Sequence, residues 1–302
     1  MEKPKAHQRL HNELTHARQD PLHLSTRGLF SSFRRGDRRH LKLNVVHVTS
    51  RGDSIEFSGP EPLGSDDLRV LLGLIAMAGH DGLRATARPT TPAGHAGRAE
   101  LELRGDGQLA DVLLVNGSYR SLAQAIGYNN VGDTSTIRDC IERLFKVTLI
   151  CALGGRRIGS RLLSEYSGDE MSGSLSIALN PGLSAAILGS SRHIRIELDE
   201  VRRIKGAVAL IVFHRLCGWI NQGATSEVRE TTLSEYAWPA EQAVSPSAKR
   251  MRRKRLLEAL DELMTVGWVI DPSSKGKFRV FRPAPQPLSV TVPTVISDVC
   301  DC

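Results

Sequence analysis

Apolar positions along the chain fall into short periodic blocks separated by Gly, Pro and polar turns. Ile55, Glu56 and Phe57 alternate as a short strand closed by Gly59-Pro60. Leu68, Leu71, Leu72, Ile75 and Ala76 then recur at helical spacing, with Asp66 or Asp67 placed to cap the helix and Gly79 and Gly82 to end it. Residues 85–98 carry Pro, Gly, Thr and Ala without an apolar period and predict a mobile loop, followed by short strands near 100–103 and 111–115. From Ser118 to Gly127, Leu122, Ala123 and Ile126 share one helical face; a second helix over 134–145 stacks Ile137, Cys140, Ile141 and Leu144. Alternation over 147–153, 160–166 and 174–179 predicts three strands, the first two joined by Gly154, Gly155, Arg156 and Arg157.

The second part repeats this order. A short helix follows Asn180-Pro181 and ends at Gly189, and Ser190 to Arg192 form a boundary. A strand over 193–198, a long helix through Ile220, a short helix over 233–238 and a long helix over 247–267 come next. Trp268 to Ile270 and Phe278 to Phe281 then form a hairpin turned by residues 273–277. Two helices joined by a tight turn and followed by a hairpin constitute a winged helix. The expected fold is therefore α+β and mainly helical, with two tandem winged-helix domains. Residues 1–26 form a flexible basic N-terminal arm, 27–190 the first domain, 191–283 the second, and 284–302, rich in proline, a disordered tail.

Charge gives this fold a partner. The 302 residues hold 40 Lys plus Arg against 33 Asp plus Glu, a net charge of +7, which favours a polyanion. Lys249, Arg250, Arg252, Arg253, Lys254 and Arg255 ring the first half of the last long helix, while Leu256, Leu260 and Leu263 stripe its second half. The charged half cannot enter an apolar core without burying unpaired charge. A helix anchored at one end and cationic at the other suits the major groove of duplex DNA. Ser135, Thr136 and Arg138 face away from the stripe of the earlier helix, with Asn129 and Asn130 before it. Arg156 and Arg157 in one turn, and Lys275 and Lys277 in the other, are placed to meet phosphates. A further basic cluster, Arg34, Arg35, Arg38, Arg39 and Lys42, precedes both units.

Other chemistry finds little material. Residues 154–161 (GGRRIGSR) lack the Gly-Lys-Ser/Thr ending of a phosphate loop. Glu197, Asp199 and Glu200 lie where acids favour a helix N-terminus. Cys140, Cys151 and Cys217 sit singly in apolar segments, and Cys300 and Cys302 end the chain without a His or Cys nearby. Neither a cofactor nor a metal site is expected, no apolar run reaches the roughly 20 residues that span a bilayer, and the cysteine usage suits the cytoplasm.

The segments IEFSGPEPLGSDDLR (55–69), AMAGHDGL, GSYRSLAQAIG, DCIERLFKV (139–147), RLLSEY (161–166), ALNP (178–181), HRLCGWI (214–220) and KRMRRKR occur in the same order as in the RepC replication initiators of IncQ-type broad-host-range plasmids, and the chain resembles that family from about Pro21 to Arg282. The resemblance implies binding to iteron repeats at an origin, opening of the adjacent duplex, recruitment of the plasmid's helicase and primase, and the tandem winged-helix fold. The lack of a phosphate loop or catalytic cluster in the sequence leads to the expectation that the chain is not an enzyme. Self-association is left open by the residues. So is a second DNA-binding reading, a winged-helix transcriptional repressor. A replication enzyme such as a primase or nicking protein would need clustered carboxylates, or a nucleophilic Tyr beside a His metal site, and the spacing offers neither.

Overall fold

The computed structural model describes residues 14–34, 36–49, 52–81, 83–85, 92, 95, 111–128, 134–239, 245–274 and 276–284. The expected loop over 85–98 (apart from Ala85, Pro92 and His95), the strand near 100–103, most of the basic arm and all but the first residue of the tail lie outside these. From Leu14 onward the expected free arm is packed. Leu14 and Ala17 are buried, and β1 (His16–Gln19) pairs antiparallel with a strand far along the chain, placing Ala17 opposite Ile196. A short helix, α1 (Pro21–Ser25), follows, capped by the Asp20 carboxylate on the Leu22 N–H at 2.7 Å. A run of basic polarity hid these elements because their apolar positions are few.

After a single 3-10 turn over Asp37–His40 come β2 (Leu43–Val48), β3 (Ser54–Gly59) and the long helix α2 (Ser65–Asp81). α2 is apolar almost all round, and Leu68, Leu71, Leu72, Leu74 and Ile75 are fully buried, which makes it the shared central helix. Gly73 lets α2 approach closely, since a β-carbon there would sit 2.3 Å from Ile126. Beyond β4 (Leu83–Ala85) and β5 (Val112–Ser118), α3 (Tyr119–Ala125) starts at a capping box in which Ser118 and Ser121 each accept the other's N–H at 3.0 Å. α4 (Ser135–Phe145) buries Ile137, Cys140, Ile141 and Leu144, the stripe expected from the sequence.

The strand expected over 160–166 is two strands in different sheets. β6 (Thr148–Leu153) turns at Gly154-Gly155 into β7 (Arg156–Arg161), in the sheet ordered β2-β3-β6-β7. The chain crosses at the buried Leu162 into β8 (Leu163–Gly168), which joins β9 (Ser174–Leu179) in the sheet β4-β5-β9-β8. α5 (Pro181–Ile187) follows, N-capped by Asn180, then β10 (Ile194–Glu197), the partner of β1.

The single long helix expected through Ile220 is also divided, into α6 (Leu198–Arg203) and α7 (Ala207–Cys217). Between them the Glu262 carboxylate accepts the N–H groups of Lys205 (2.5 Å) and Gly206 (3.0 Å), satisfying donors that an unbroken helix would have paired internally. β11 (Thr225–Arg229) was not expected, because only Val228 of its five residues is buried. α8 (Glu230–Ala237), α9 (Pro246–Thr265), β12 (Val269–Pro272) and β13 (Lys277–Phe281) complete the chain, with the sheet ordered β11-β13-β12. With thirteen strands in four antiparallel sheets among the described residues, the fold is mixed rather than mainly helical. One cluster of buried apolar residues runs from Leu14 to Val280 through both expected domains.

Two buried carboxylates among the described residues are held in different ways. Asp67 is fully buried; it accepts the Gly64 N–H (2.7 Å) and pairs with Arg143 of α4 (2.8 Å) and Arg38 (3.1 Å). Removing it strands two guanidinium groups, so Asp67→Ala is expected to cost about 3 kcal/mol in denaturant titration. A loss under about 1 kcal/mol would mean the pairs are solvated. Glu200 is buried beneath Trp268, whose indole N–H donates to it at 2.8 Å; burial pushes its carboxyl up to about 7. Folding therefore favours the protonated acid: this contribution is full below about pH 4.5 and is lost as pH rises through about 7. Glu200→Gln is expected to add ~1–2 kcal/mol at pH 8 and nothing near pH 4, read from paired melting curves. An equal effect at both pH values would show that the carboxyl does not titrate in the fold.

Candidate nucleic-acid interface

α9 begins at Ser245, whose hydroxyl accepts the Ala248 N–H, with Pro246 in the first turn. Its first half is solvent-facing, and Lys249, Arg250, Arg253, Lys254 and Arg255 are exposed. From Leu256 on it is anchored, with Leu256, Ala259, Leu260 and Leu263 buried against the core that also holds α7. The helix thus has the division between charge and anchor that its sequence requires.

The six cations are not equivalent. Arg253 donates to Glu230, at the start of α8, at 2.7 Å through Nε and 3.4 Å through Nη2. Arg252 lies over the Trp238 ring, 5.6 Å from its centroid. Burial, and then the nearby charge of Arg34, hold the Arg252 pKa below the ordinary arginine value. Lys254 makes a long contact of 3.8 Å with Glu258, one turn on. Among the described residues no carboxylate pairs with Lys249, Arg250 or Arg255, so these present unneutralised charge. In the β12–β13 hairpin, Glu227 of β11 draws in Lys277 (3.6 Å) and accepts the Ser273 hydroxyl (2.5 Å). Lys275 lies outside the described residues.

In the first unit, Ser135 and Thr136 are exposed at the start of α4. Arg138 is partly covered: it donates to Glu170 at 2.8 Å and lies over Tyr119, 5.7 Å from the ring centroid. Glu170 sits at the β8–β9 turn, where Asp169 accepts the Met171 N–H (2.8 Å) and the Ser172 hydroxyl (2.7 Å). Arg156 and Arg157 are exposed beside the glycine turn but open strand β7 instead of forming the turn itself; Gly154 and Gly155 take it alone with positive φ. Asn129 and Asn130 lie outside the described residues.

The two candidate site arginines that an acid holds, Arg138 of α4 and Arg253 of α9, are held by residues remote in sequence, Glu170 and Glu230. Sequence reasoning had no signal for these carboxylates, since neither lies within a helical turn of its partner. Tyr119 and Tyr128 offer poor nucleophiles: burial pushes Tyr119 up to about 12, and Tyr128 donates to Asp66 at 2.8 Å and is likewise raised, chiefly by burial. Among the described residues, no group of His, Cys, Asp and Glu could hold a metal ion, and no helix is long and apolar enough to cross a membrane.

The family model for replication protein C (RepC) matches residues 11–284. No curated protein matches the chain. Among solved structures, the crystal structure of selenomethionine derivatives of domains 2 and 3 of RctB is similar over 88% of this chain and 99% of that one, with a TM-score of 0.54 and 11% identity. At that identity the likeness is one of fold.

Proposed function

The chain belongs to the replication protein C family, and from that premise we propose that it is a plasmid replication initiator that binds iteron repeats through two tandem winged helices. In this reading α4 and α9 are the recognition helices and the β6–β7 and β12–β13 hairpins the wings. The observation that carries it is α9: five exposed cations, Lys249, Arg250, Arg253, Lys254 and Arg255, stand on a helix whose second half is locked in the core. Its setting supports the same reading, since α7, β11, α8, α9 and a hairpin in the sheet order β11-β13-β12 follow the winged-helix order. The first unit follows it more loosely, with α2, α3, α4 and the β6–β7 hairpin.

Lys249, Arg250, Arg255, Arg156 and Arg157, exposed and without a carboxylate partner among the described residues, suit phosphates. Arg253 and Arg138, each oriented by a carboxylate, suit base edges, because a fixed guanidinium discriminates better than a mobile one. Origin opening and recruitment of the plasmid's helicase and primase then follow from assembly on the repeats, with no catalytic step by this chain. Hydroxyl-radical footprinting on the replicon's own DNA tests this. Protection of a tandem array of direct repeats is expected; protection of a lone promoter operator would favour a repressor, and nicking lost with one Tyr or Asp would favour an enzyme.

A further inference from the structure

The basic run over residues 34–42 has no part in the two recognition helices or the wings, yet it is fixed between them. On one side the chain leading into it rests on α8, the helix that precedes α9. Arg27 donates to Glu235 at 2.9 Å, the Ser32 N–H donates to the Ala237 carbonyl at 2.7 Å, and a β-carbon on Gly28 would meet Pro239 at 3.3 Å. On the other side it is tied to α2 and, through it, to α4. The Ser31 N–H donates to the Leu63 carbonyl at 3.0 Å, and Arg38, stacked over Phe33 at 4.8 Å, reaches the same Asp67 carboxylate that holds Arg143 of α4. The segment therefore runs from the foot of one candidate recognition helix to the buried ion pair that seats the other.

Pinned in this way, it turns its remaining cations outward. Arg34, Arg39 and Lys42 are exposed and have no carboxylate partner among the described residues, while Arg35 lies outside those residues. Asp37 is the only acid between residues 34 and 42. Arg34 is also close enough to Arg252 of α9 to oppose its charge. Like charges held together by backbone contacts cost free energy that a polyanion recovers.

We propose that this segment is a third DNA-contact surface, with Arg34, Arg39 and Lys42 gripping the phosphates that flank the minor groove between the two major grooves entered by α4 and α9. The proposal rests on the tandem reading above. When two helices enter successive major grooves on one face, the intervening minor groove faces the protein, and its two phosphate walls are what a basic segment between the helices meets.

The test uses the full chain, a duplex carrying one repeat located by the footprint, and a random duplex of equal length. Arg34→Ala/Arg39→Ala/Lys42→Ala removes about three phosphate contacts. It should flatten the slope of log affinity against log salt by about 2 to 3 on both duplexes, and weaken binding roughly a hundredfold at 0.1 M salt. Phosphate-ethylation interference should vanish between the two module patches and persist within them. Arg39→Ala and Lys42→Ala, at exposed positions, should each flatten the slope by about 0.9, and Arg34→Lys/Arg39→Lys should leave it unchanged. If slope and interference are unaltered in the alanine variants while Arg250→Ala/Arg253→Ala weakens binding, this third surface does not exist and the initiator reading stands. If Arg250→Ala/Arg253→Ala is also without effect, the tandem reading itself fails.

Discussion

Replacing Lys249, Arg250 and Arg255 together by alanine is expected to reduce affinity for repeat DNA roughly a hundredfold at 0.1 M salt and to flatten the salt dependence by about 2 to 3. The reason is their state in the free protein. Each is exposed, and among the described residues none is neutralised, so each can release a counterion from the phosphate it meets. Arg253 is different because Glu230 already holds it at 2.7 Å. A guanidinium paired to a carboxylate adds little net charge to the surface, but its donors point in a set direction. Arg253→Ala should therefore leave the slope almost unchanged and reduce the preference for repeat over random DNA, by ~1–3 kcal/mol at one base position. Glu230→Gln should show the complementary split, with random-duplex binding strengthened by the lost negative charge and discrimination reduced. Anisotropy titrations between 50 and 300 mM salt, an on the order of sixfold range, read both quantities. Equal slope changes from Arg253→Ala and from a single Arg250→Ala would show that the Glu230 contact gives way on binding.

Helices with one continuous apolar stripe were legible, and their bounds follow the sequence closely. α2 begins one residue before the Asp66-Asp67 pair, so both aspartates lie in its first turn instead of preceding it, and the Asp67 carboxylate accepts the Gly64 N–H. The stripe of α4 and the change from charged to apolar along α9 are equally direct. Elements whose stability comes from partners distant in sequence were not legible. β1 exists because β10 offers an edge, and its Gln19 accepts the buried His214 ring N–H at 2.8 Å. The same burial holds His214 down at about 3. β11 shows a single buried residue and is held by its ladder to β13. The break between α6 and α7 depends on Glu262, more than fifty positions away, and the crossing at Leu162 on which of two sheets each half of an alternating run joins. For the candidate site, residue types were readable and pairings were not. Every cation on α9 could be named from composition, but which are neutralised follows from Glu230, Trp238 and Glu258.

Inserting 5 bp between the two contact patches of one repeat is expected to cost about 10²–10⁴ in affinity, because half a helical turn puts the patches on opposite faces and removes the second, intramolecular contact. Read from sequence alone, the short link at Gly189 to Arg192 is what fixes the two units, and loosening it with a flexible insertion at Ser190 would partly restore binding. The contacts between the units argue otherwise. Arg69 of α2 is buried and donates to the carbonyls of Ile126, beside α3, and of Val201 and Ile204, at α6. Arg202 reaches back to the Ala125 and Leu14 carbonyls at 2.8 and 2.9 Å, and α2 packs against α7. These bonds and the common core persist when the link is lengthened, so the insertion at Ser190 should not rescue the 5-bp spacer. For the same reason a 10-bp spacer should also bind weakly. It returns the patches to one face but moves them a further ~34 Å apart, which a tethered pair could follow and a rigid one cannot. Recovery on the 10-bp spacer, or rescue by the Ser190 insertion, would show that the units separate on DNA. Equal binding on all spacers would leave only one unit reading sequence, with α4 free for another partner. Combining the Ser190 insertion with Arg69→Ala then isolates the clamp: if the rigid arrangement is what enforces spacing, only the double change should relax the preference for the native repeat.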